Sequence, residues 1–296
     1  MDIVVIFNGL GNQMSQYAFY LAKRKSGSRC HCIFHNVSTG FHNGSELDKV
    51  FGIKYEKGIF SKLLSKIYDI FDGIPKLRKK LNSLGIHIIR EPRNYDYTAS
   101  LLPRVSRWGL NYFVGGWHSE KYYTEILQEI KNTFSFKIDD EIKDIDFYEF
   151  YSLIHNDINS VSLHIRRGDY VGANEYSYFQ FGGVATLEYY HKAIDEIYQR
   201  IENPTFYVFS DDIGWCKTTF LKNNFIFVDC NCGEKSWRDM FLISQCKHHI
   251  IANSTFSWWG AWLSIFHNSI TICPKEFIKG VVIRDVYPDT WIKLSS

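Results

Sequence analysis

One short stretch concentrates the chemistry of this chain: Ser162-Leu163-His164-Ile165-Arg166-Arg167-Gly168-Asp169-Tyr170. An apolar run there delivers a histidine, two adjacent arginines, a glycine and an aspartate. Neighbouring guanidinium groups at the end of a buried strand are costly unless an anion meets them. Their planar fork matches phosphate oxygens in pairs, so the chemistry indicated is capture of a phosphorylated ligand. Strand alternation puts His164 and Arg166 on one side and Arg167 on the other. Arg166 is then the phosphate ligand and His164 a neighbour for a base or ribose. Arg167 is structural, paired with Asp169.

A second constellation is Ile250-Ile251-Ala252-Asn253-Ser254-Thr255-Phe256-Ser257-Trp258-Trp259-Gly260. An apolar strand ends at three good N-cap types and a helix follows. Free backbone N–H groups and partial positive charge at such a helix start receive anions, and the hydroxyls of Ser254 and Thr255 add donors. With Arg166 this makes a two-sided clamp for a pyrophosphate. Asp239 opens another apolar helix just upstream, where a carboxylate can accept two N–H bonds from a guanine edge or complement the helix dipole.

Carboxylate pairs divide by context. Asp144-Ile145-Asp146 has the D-x-D spacing of a metal site, but it lies in a charged helical segment and reads as solvated surface. Asp211-Asp212 follows a strand and can either hold magnesium beside a pyrophosphate or cap the helix from Ile213. With an arginine and a helix start available for leaving-group charge, no metal is expected. Seven cysteines, including the pairs Cys30/Cys32 and Cys230/Cys232, form neither a disulfide framework nor the usual zinc spacing.

The elements that must position these groups read as α/β. Ile3–Phe7 is a strand, Asn8-Gly9-Leu10-Gly11-Asn12-Gln13 a glycine turn, and a helix follows through Leu21. Met14 stands where a dinucleotide fingerprint needs its third glycine, which rejects a nicotinamide or flavin site. Asn12 and Gln13 are expected to point their amides into the ligand crevice. Phe113–His118 is a strand entering a glycine loop, either a sugar-facing wall or a turn beside a core tryptophan. A polar helix over 139–151 and a loop at 155–157 mark the boundary between domains 1–157 and 158–296. Beyond it, apolar strands at 160–165, 205–210, 226–228, 249–252 and 269–273 alternate with helices at 187–201, 213–223, 237–246 and 257–266. That is a parallel sheet covered on both faces.

Composition excludes several classes. The 296 residues are 45% hydrophobic and 22% charged with a net charge of +2, which suits a soluble globule and leaves no basic face for nucleic acid. Aromatic residues, at 17%, supply stacking faces for sugars or bases. The start, Met1 to Phe7, reads as strand rather than signal peptide, and no run reaches the roughly 20 apolar residues of a membrane span. A cytoplasmic protein is expected. Ser61–Leu81 forms a lysine-rimmed amphipathic helix, which packs on its own domain or, on the second reading, makes a peripheral contact with the inner membrane.

These motifs together have a relative. His164-Ile-Arg-Arg-Gly-Asp169 closely resembles the H-x-R-R-x-D signature of the α1,2-, α1,6- and protein O-fucosyltransferase superfamily. Gly9-Leu-Gly-Asn-Gln-Met14, Phe209-Ser-Asp-Asp212 and Ile251-Ala-Asn-Ser-Thr-Phe-Ser-Trp-Trp-Gly-Ala-Trp262 look like segments of the bacterial α-1,2-fucosyltransferases, glycosyltransferase family 11. The resemblance implies an α/β fold of GT-B type, two Rossmann-like domains with a crevice between them. It implies GDP-L-fucose as donor substrate, inversion at the anomeric carbon and neither cofactor nor metal. The implied acceptor is a galactose-terminated oligosaccharide or lipid-linked glycan of a bacterial surface polysaccharide. Residue by residue it implies Arg166 on the β-phosphate, His164 and Asp239 near guanine, Ser254, Thr255 and Phe256 around the pyrophosphate, and Asn12 where acceptor meets donor. Asp169 and Glu175 are the carboxylates offered as base for the attacking hydroxyl. The alternatives are a GT-B transferase for another nucleotide sugar and a non-catalytic carbohydrate-binding protein. A lectin has no use for a phosphate clamp.

Overall fold

The computed structural model describes residues 1–35, 43–54, 58–74, 80–104, 108–138, 144–172 and 175–296, without the side chains of Phe71 and residues 175–177. The chain divides into two compact units, Met1–Lys137 with Arg284–Val286, and Ile138–Ile283 with Tyr287–Ser296. The division falls before the expected boundary at 157/158. Its reason is helix Ile145–Asn156, whose Phe147 and Tyr151 rings pack on Phe241, at 6.0 and 5.5 Å, and so belong to the second core. Residues 139–143 of the expected polar helix lie outside the described residues.

In the first unit four parallel strands, β1 (Asp2–Ile6), β2 (Cys30–Phe34), β3 (Ile86–Arg90) and β4 (Leu110–Val114), stand in the order β2-β1-β4-β3. Central β1 and β4 are almost wholly buried, whereas the edges β2 and β3 are half-buried and carry His31 and His87. Leu64 and Tyr68 of helix Ile59–Gly73 cover Ile3, Val5 and Tyr112. A buried ion pair crosses this unit. Lys23 Nζ lies 2.9 Å from Asp2 Oδ2, with both side chains fully buried, and also donates to the backbone oxygen of Leu101. Asp2 is completed by Ser28 Oγ at 2.8 Å and Asn111 Nδ2 at 2.9 Å. Segment 284–286 closes the unit from far down the chain. Asp285 accepts the Tyr97 N–H and pairs with Lys121, and the Arg284 N–H reaches Asp96.

The second unit has six parallel strands: β5 (Ser160–Ile165), β6 (Thr205–Ser210), β7 (Phe225–Phe227), β8 (His248–Ile250), β9 (Thr271–Pro274) and β10 (Ile292–Leu294). Their order is β10-β9-β8-β5-β6-β7. The chain thus winds outward from β5 on one flank and returns to wind outward on the other. Ligands of such sheets bind beyond the carboxyl ends of the strands where the winding reverses, here between β5 and β8. Val161, Leu163 and Ile165 face one hydrophobic core with Tyr189, Tyr190 and Ile194 of helix Leu187–Arg200. The intervening Ser162 and His164 point the opposite way, to His249 and Phe256. Helix Trp237–Gln245 packs closely on helix Thr255–Trp262, because a Cβ on Gly260 would lie 2.5 Å from Ile243 Cγ2. The D-x-D segment is not solvated surface throughout. Asp144 receives Lys235 Nζ at 2.8 Å and Arg238 Nη1 at 2.7 Å, which holds its carboxyl below the usual range, while Asp146 is exposed.

Candidate functional site

The sheet register builds the arginine loop. Pairing of His164 with Phe209 and of Ile165 with Ser210 brings Arg166 and Arg167 out of β5 beside Asp211 and Asp212 leaving β6. Arg166 Nη1 lies 2.9 Å from Asp211 Oδ2, while its Nε and Nη2 meet Asp169 Oδ1 at 2.9 and 2.7 Å. Arg167 does not pair with Asp169, contrary to expectation. Its Nε donates to Asp212 Oδ2 at 3.0 Å and its guanidinium stacks 3.8 Å from the Trp215 ring. The two arginines therefore hold different partners, Arg166 the carboxylates of Asp169 in its own loop and Asp211 after the next strand, Arg167 the carboxylate of Asp212 and the Trp215 ring, and both line the same cavity.

Asp211 and Asp212 are committed to this scaffold. Asp211 Oδ1 also accepts the backbone N–H of Arg167 at 2.8 Å, and Asp212 caps helix Ile213–Thr219 through the Trp215 N–H at 3.2 Å. A guanidinium carries five N–H groups, so bracketing by two carboxylates orients Arg166 without exhausting it. Beside it opens a cavity of about 170 Å³ walled in part by Ile165, Tyr170, Phe181, Leu187 and Trp215. Gly168 is dictated by the same contacts, since a Cβ there would sit 2.7 Å from Asp211 Oδ2. G168A is expected to push Asp211 off the arginine turn and lower turnover at least about tenfold, some 1.4 kcal/mol of barrier. Steady-state kinetics alongside thermal unfolding would check that the fold is kept while the rate falls.

The loop after β8 meets the arginine loop. Tyr170 Oη donates to the Asn253 carbonyl at 3.2 Å, and the His164 and Phe256 rings lie 5.6 Å apart. Ser254 caps helix Thr255–Trp262 by accepting the Phe256 N–H at 3.3 Å, and Thr255 and Phe256 remain partly exposed at the helix start. Asn253 belongs to the site's framework and was legible only as an N-cap type. Fully buried, it donates to the carbonyls of Phe181 and Phe277, both at 3.0 Å. Burial and the charge of Arg166 lower His164 to a pKa of about 3, so its ring is neutral, and its buried Nδ1 has no hydrogen-bond partner among the described residues. Asp239 stands in the first turn of helix Trp237–Gln245. Asn231 Nδ2 donates to it at 2.7 Å, yet desolvation of its carboxyl raises the pKa to about 7. The side chain of Glu175 lies outside the described residues.

In the first unit the glycine turn differs from its expected form. The left-handed residue is Asn8, with φ of 63°, a conformation asparagine tolerates. Gln13 does not offer its amide to a ligand. The amide is buried, donating to the Asn8 and Gly44 carbonyls at 2.7 and 2.8 Å and accepting the Glu46 N–H at 3.0 Å. Asn12 is partly exposed in the first helical turn, as a ligand contact requires. Trp117 is a core residue, stacked 4.2 Å from Phe19. That decides the reading of the 113–118 loop as a turn beside a core tryptophan. Sequence reasoning missed Glu91, whose Oε2 accepts the Gly116 and Trp117 N–H groups at 2.7 and 2.8 Å and whose pKa burial raises to about 8.

Comparison with known proteins follows this geometry. The profile described as Glycosyl transferase family 11 matches residues 73–295. An alpha-1,2-colitosyltransferase of Escherichia coli is 33% identical over 99% of both chains. The O-antigen biosynthesis glycosyltransferase WbnK of Escherichia coli is 32% identical over 97% of this chain and 98% of its own. The crystal structure of NodZ, an alpha-1,6-fucosyltransferase soaked with GDP-fucose, superposes with a TM-score of 0.50 at 14% identity, covering 92% of this chain and 94% of NodZ. That likeness is one of fold, and two parallel α/β units in one chain are the GT-B type. Profile and full-length relatives agree, and the chain belongs to glycosyltransferase family 11.

Proposed function

We propose that this enzyme transfers L-fucose from GDP-β-L-fucose, with inversion and without a metal, to the 2-hydroxyl of a terminal galactoside in O-antigen synthesis. The observation that carries the reading is the meeting of the Arg166 loop and the Ser254–Phe256 helix start at the reversal point of a nucleotide-type sheet. The α-1,2 linkage and the O-antigen setting are taken from the names of the two Escherichia coli relatives.

Negative charge grows on the GDP leaving group as the glycosidic bond lengthens. Arg166, held in place by Asp169 and Asp211, donates to the β-phosphate while the helix start receives the other oxygens. Neutral His164 and Phe256 flank the nucleotide and Asp239 reads the guanine edge. The acceptor hydroxyl enters from the face opposite the leaving group, which yields the α product. Asp169 already faces the guanidinium through Oδ1, so its role is to orient Arg166 rather than to take the proton. Metal independence is supported by the ion pairs that already engage Asp211 and Asp212.

The test is a donor and acceptor panel run with EDTA. α-1,2-Fucosyl product from GDP-fucose in EDTA supports the proposal, and loss of turnover on chelation overturns its metal-free part. Preference for GDP-colitose, which lacks the fucose 3-hydroxyl, would reassign the donor. Asp239 adds a pH signature. Its pKa near 7 against an ordinary 3.8 means the carboxyl is protonated in the folded protein below about 7. GDP affinity is expected to weaken as pH falls through 7, by up to about tenfold per unit. Stability runs the other way, because an acid whose folded pKa is raised stabilises at low pH and loses that contribution as pH climbs from 3.8 through 7. Calorimetric titration of GDP across pH should show the slope in the wild type and a flat profile in Asp239→Asn.

A further inference from the structure

Helix Ile59–Gly73 carries more apolar surface than its own unit covers. At about 100° of rotation per residue, Ile59, Phe60, Leu63, Ile67 and Ile70, continued by Ile74, form one stripe. Leu64 and Tyr68 lie on the adjoining arc. The second arc is buried against Ile3, Val5 and Tyr112. Within the first, Ile67 packs partly on that same core and the Phe60 ring meets His31, while Ile59, Phe60, Leu63, Ile70 and Ile74 are each at least half exposed. Packing on its own domain therefore accounts for the Leu64–Tyr68 arc and Ile67, and leaves most of the first stripe uncovered.

Charge says what the other face meets. Lys62 and Lys66 flank the open stripe on the side away from the core, and both are exposed, as is Lys80 further along. The acidic residues of the helix lie further round and are engaged, Asp69 with His35 at 3.1 Å and Asp72 with Arg90. An exposed apolar stripe with a lysine rim is the pattern of a helix lying in the plane of a bilayer, its cations among anionic headgroups. Among the described residues no helix is long and apolar enough to cross a membrane, so the contact is with one leaflet. We propose that helix Ile59–Gly73 is a docking surface for an anionic lipid bilayer, with the Phe60–Leu63–Ile70–Ile74 stripe entering the headgroup boundary.

The test is flotation of the full chain with phosphatidylglycerol-containing vesicles and with phosphatidylcholine vesicles. The wild type should float with the anionic vesicles and be released by high salt. Leu63→Ser/Ile70→Ser should reduce vesicle binding at least about tenfold. Lys62→Glu/Lys66→Glu should abolish the preference for anionic lipid. Both variants alter exposed side chains, so thermal unfolding and turnover on a soluble acceptor should match the wild type. No flotation of the wild type, or equal flotation of Leu63→Ser/Ile70→Ser, would overturn the proposal. A dimer in sedimentation velocity that Leu63→Ser/Ile70→Ser converts to monomer, without lipid binding, would overturn it in favour of a second copy of this chain.

Discussion

Replacing Arg166 by alanine is expected to cut turnover about 10²–10³-fold, the range for one preorganised donor to a developing anion. The loss should lie at the upper end, because the change removes a cation and leaves the Asp169 and Asp211 carboxylates without it at the position proposed for the diphosphate. Arg166→Lys keeps the charge but cannot reach both carboxylates and a phosphate in one plane, so it should recover only part of the rate. Arg167→Ala should behave differently. It breaks the Asp212 pair and the Trp215 stack, so the effect belongs in thermal stability rather than in kcat. Saturating-donor kinetics on the three variants separates the roles. Retention of wild-type turnover by R166A would remove Arg166 from the mechanism.

Lys23→Met should be the most damaging single change to the first unit. It strands a fully buried Asp2 carboxylate and unties Lys23 from the carbonyl of Leu101. Breaking one partner of a buried pair costs about 3–5 kcal/mol. Replacing Asp2 by leucine in the same chain should recover much of that loss, since apolar pairs of similar volume replace buried ion pairs without large cost. Denaturant unfolding of wild type, single and double variants measures both quantities. A single variant within about 1 kcal/mol of wild type would refute the assignment.

What sequence could reveal followed burial. Strands β5 and β6 are buried along nearly their whole length and rich in apolar residues, so their existence was legible, whereas β8 is His248-His249-Ile250 and was marked only by the apolar residues Ile250–Ala252 at and beyond its end. Edge strands β2 and β3 are half-buried and interrupted by His31 and His87, so no clean period marks them. The amphipathic pattern over 61–81 marked a real helix, though it ends at Gly73, and residues 75–79 lie outside the described structure. Within the site, alternation along β5 separated Arg166 from Arg167. Asp169 is a local partner of Arg166, but Asp211 and Asp212 are supplied by the β5–β6 register, which joins residues more than forty apart in the chain and leaves no local trace. Gln13 shows the same limit, because an amide beside a glycine turn looks like a ligand contact until Gly44 and Glu46 claim it.

The return of residues 284–286 to the first unit has a consequence for synthesis of the chain. A ribosome delivers residues 1–137 first, yet Asp285, which ties the Tyr97 backbone and Lys121, emerges only after nearly the whole second unit. The amino-terminal unit therefore lacks these contacts while residues 138–283 are being made. The bonds of Arg284 and Asp285 form only after strands β5 to β9 have been synthesised, which ties completion of one half to the birth of the other.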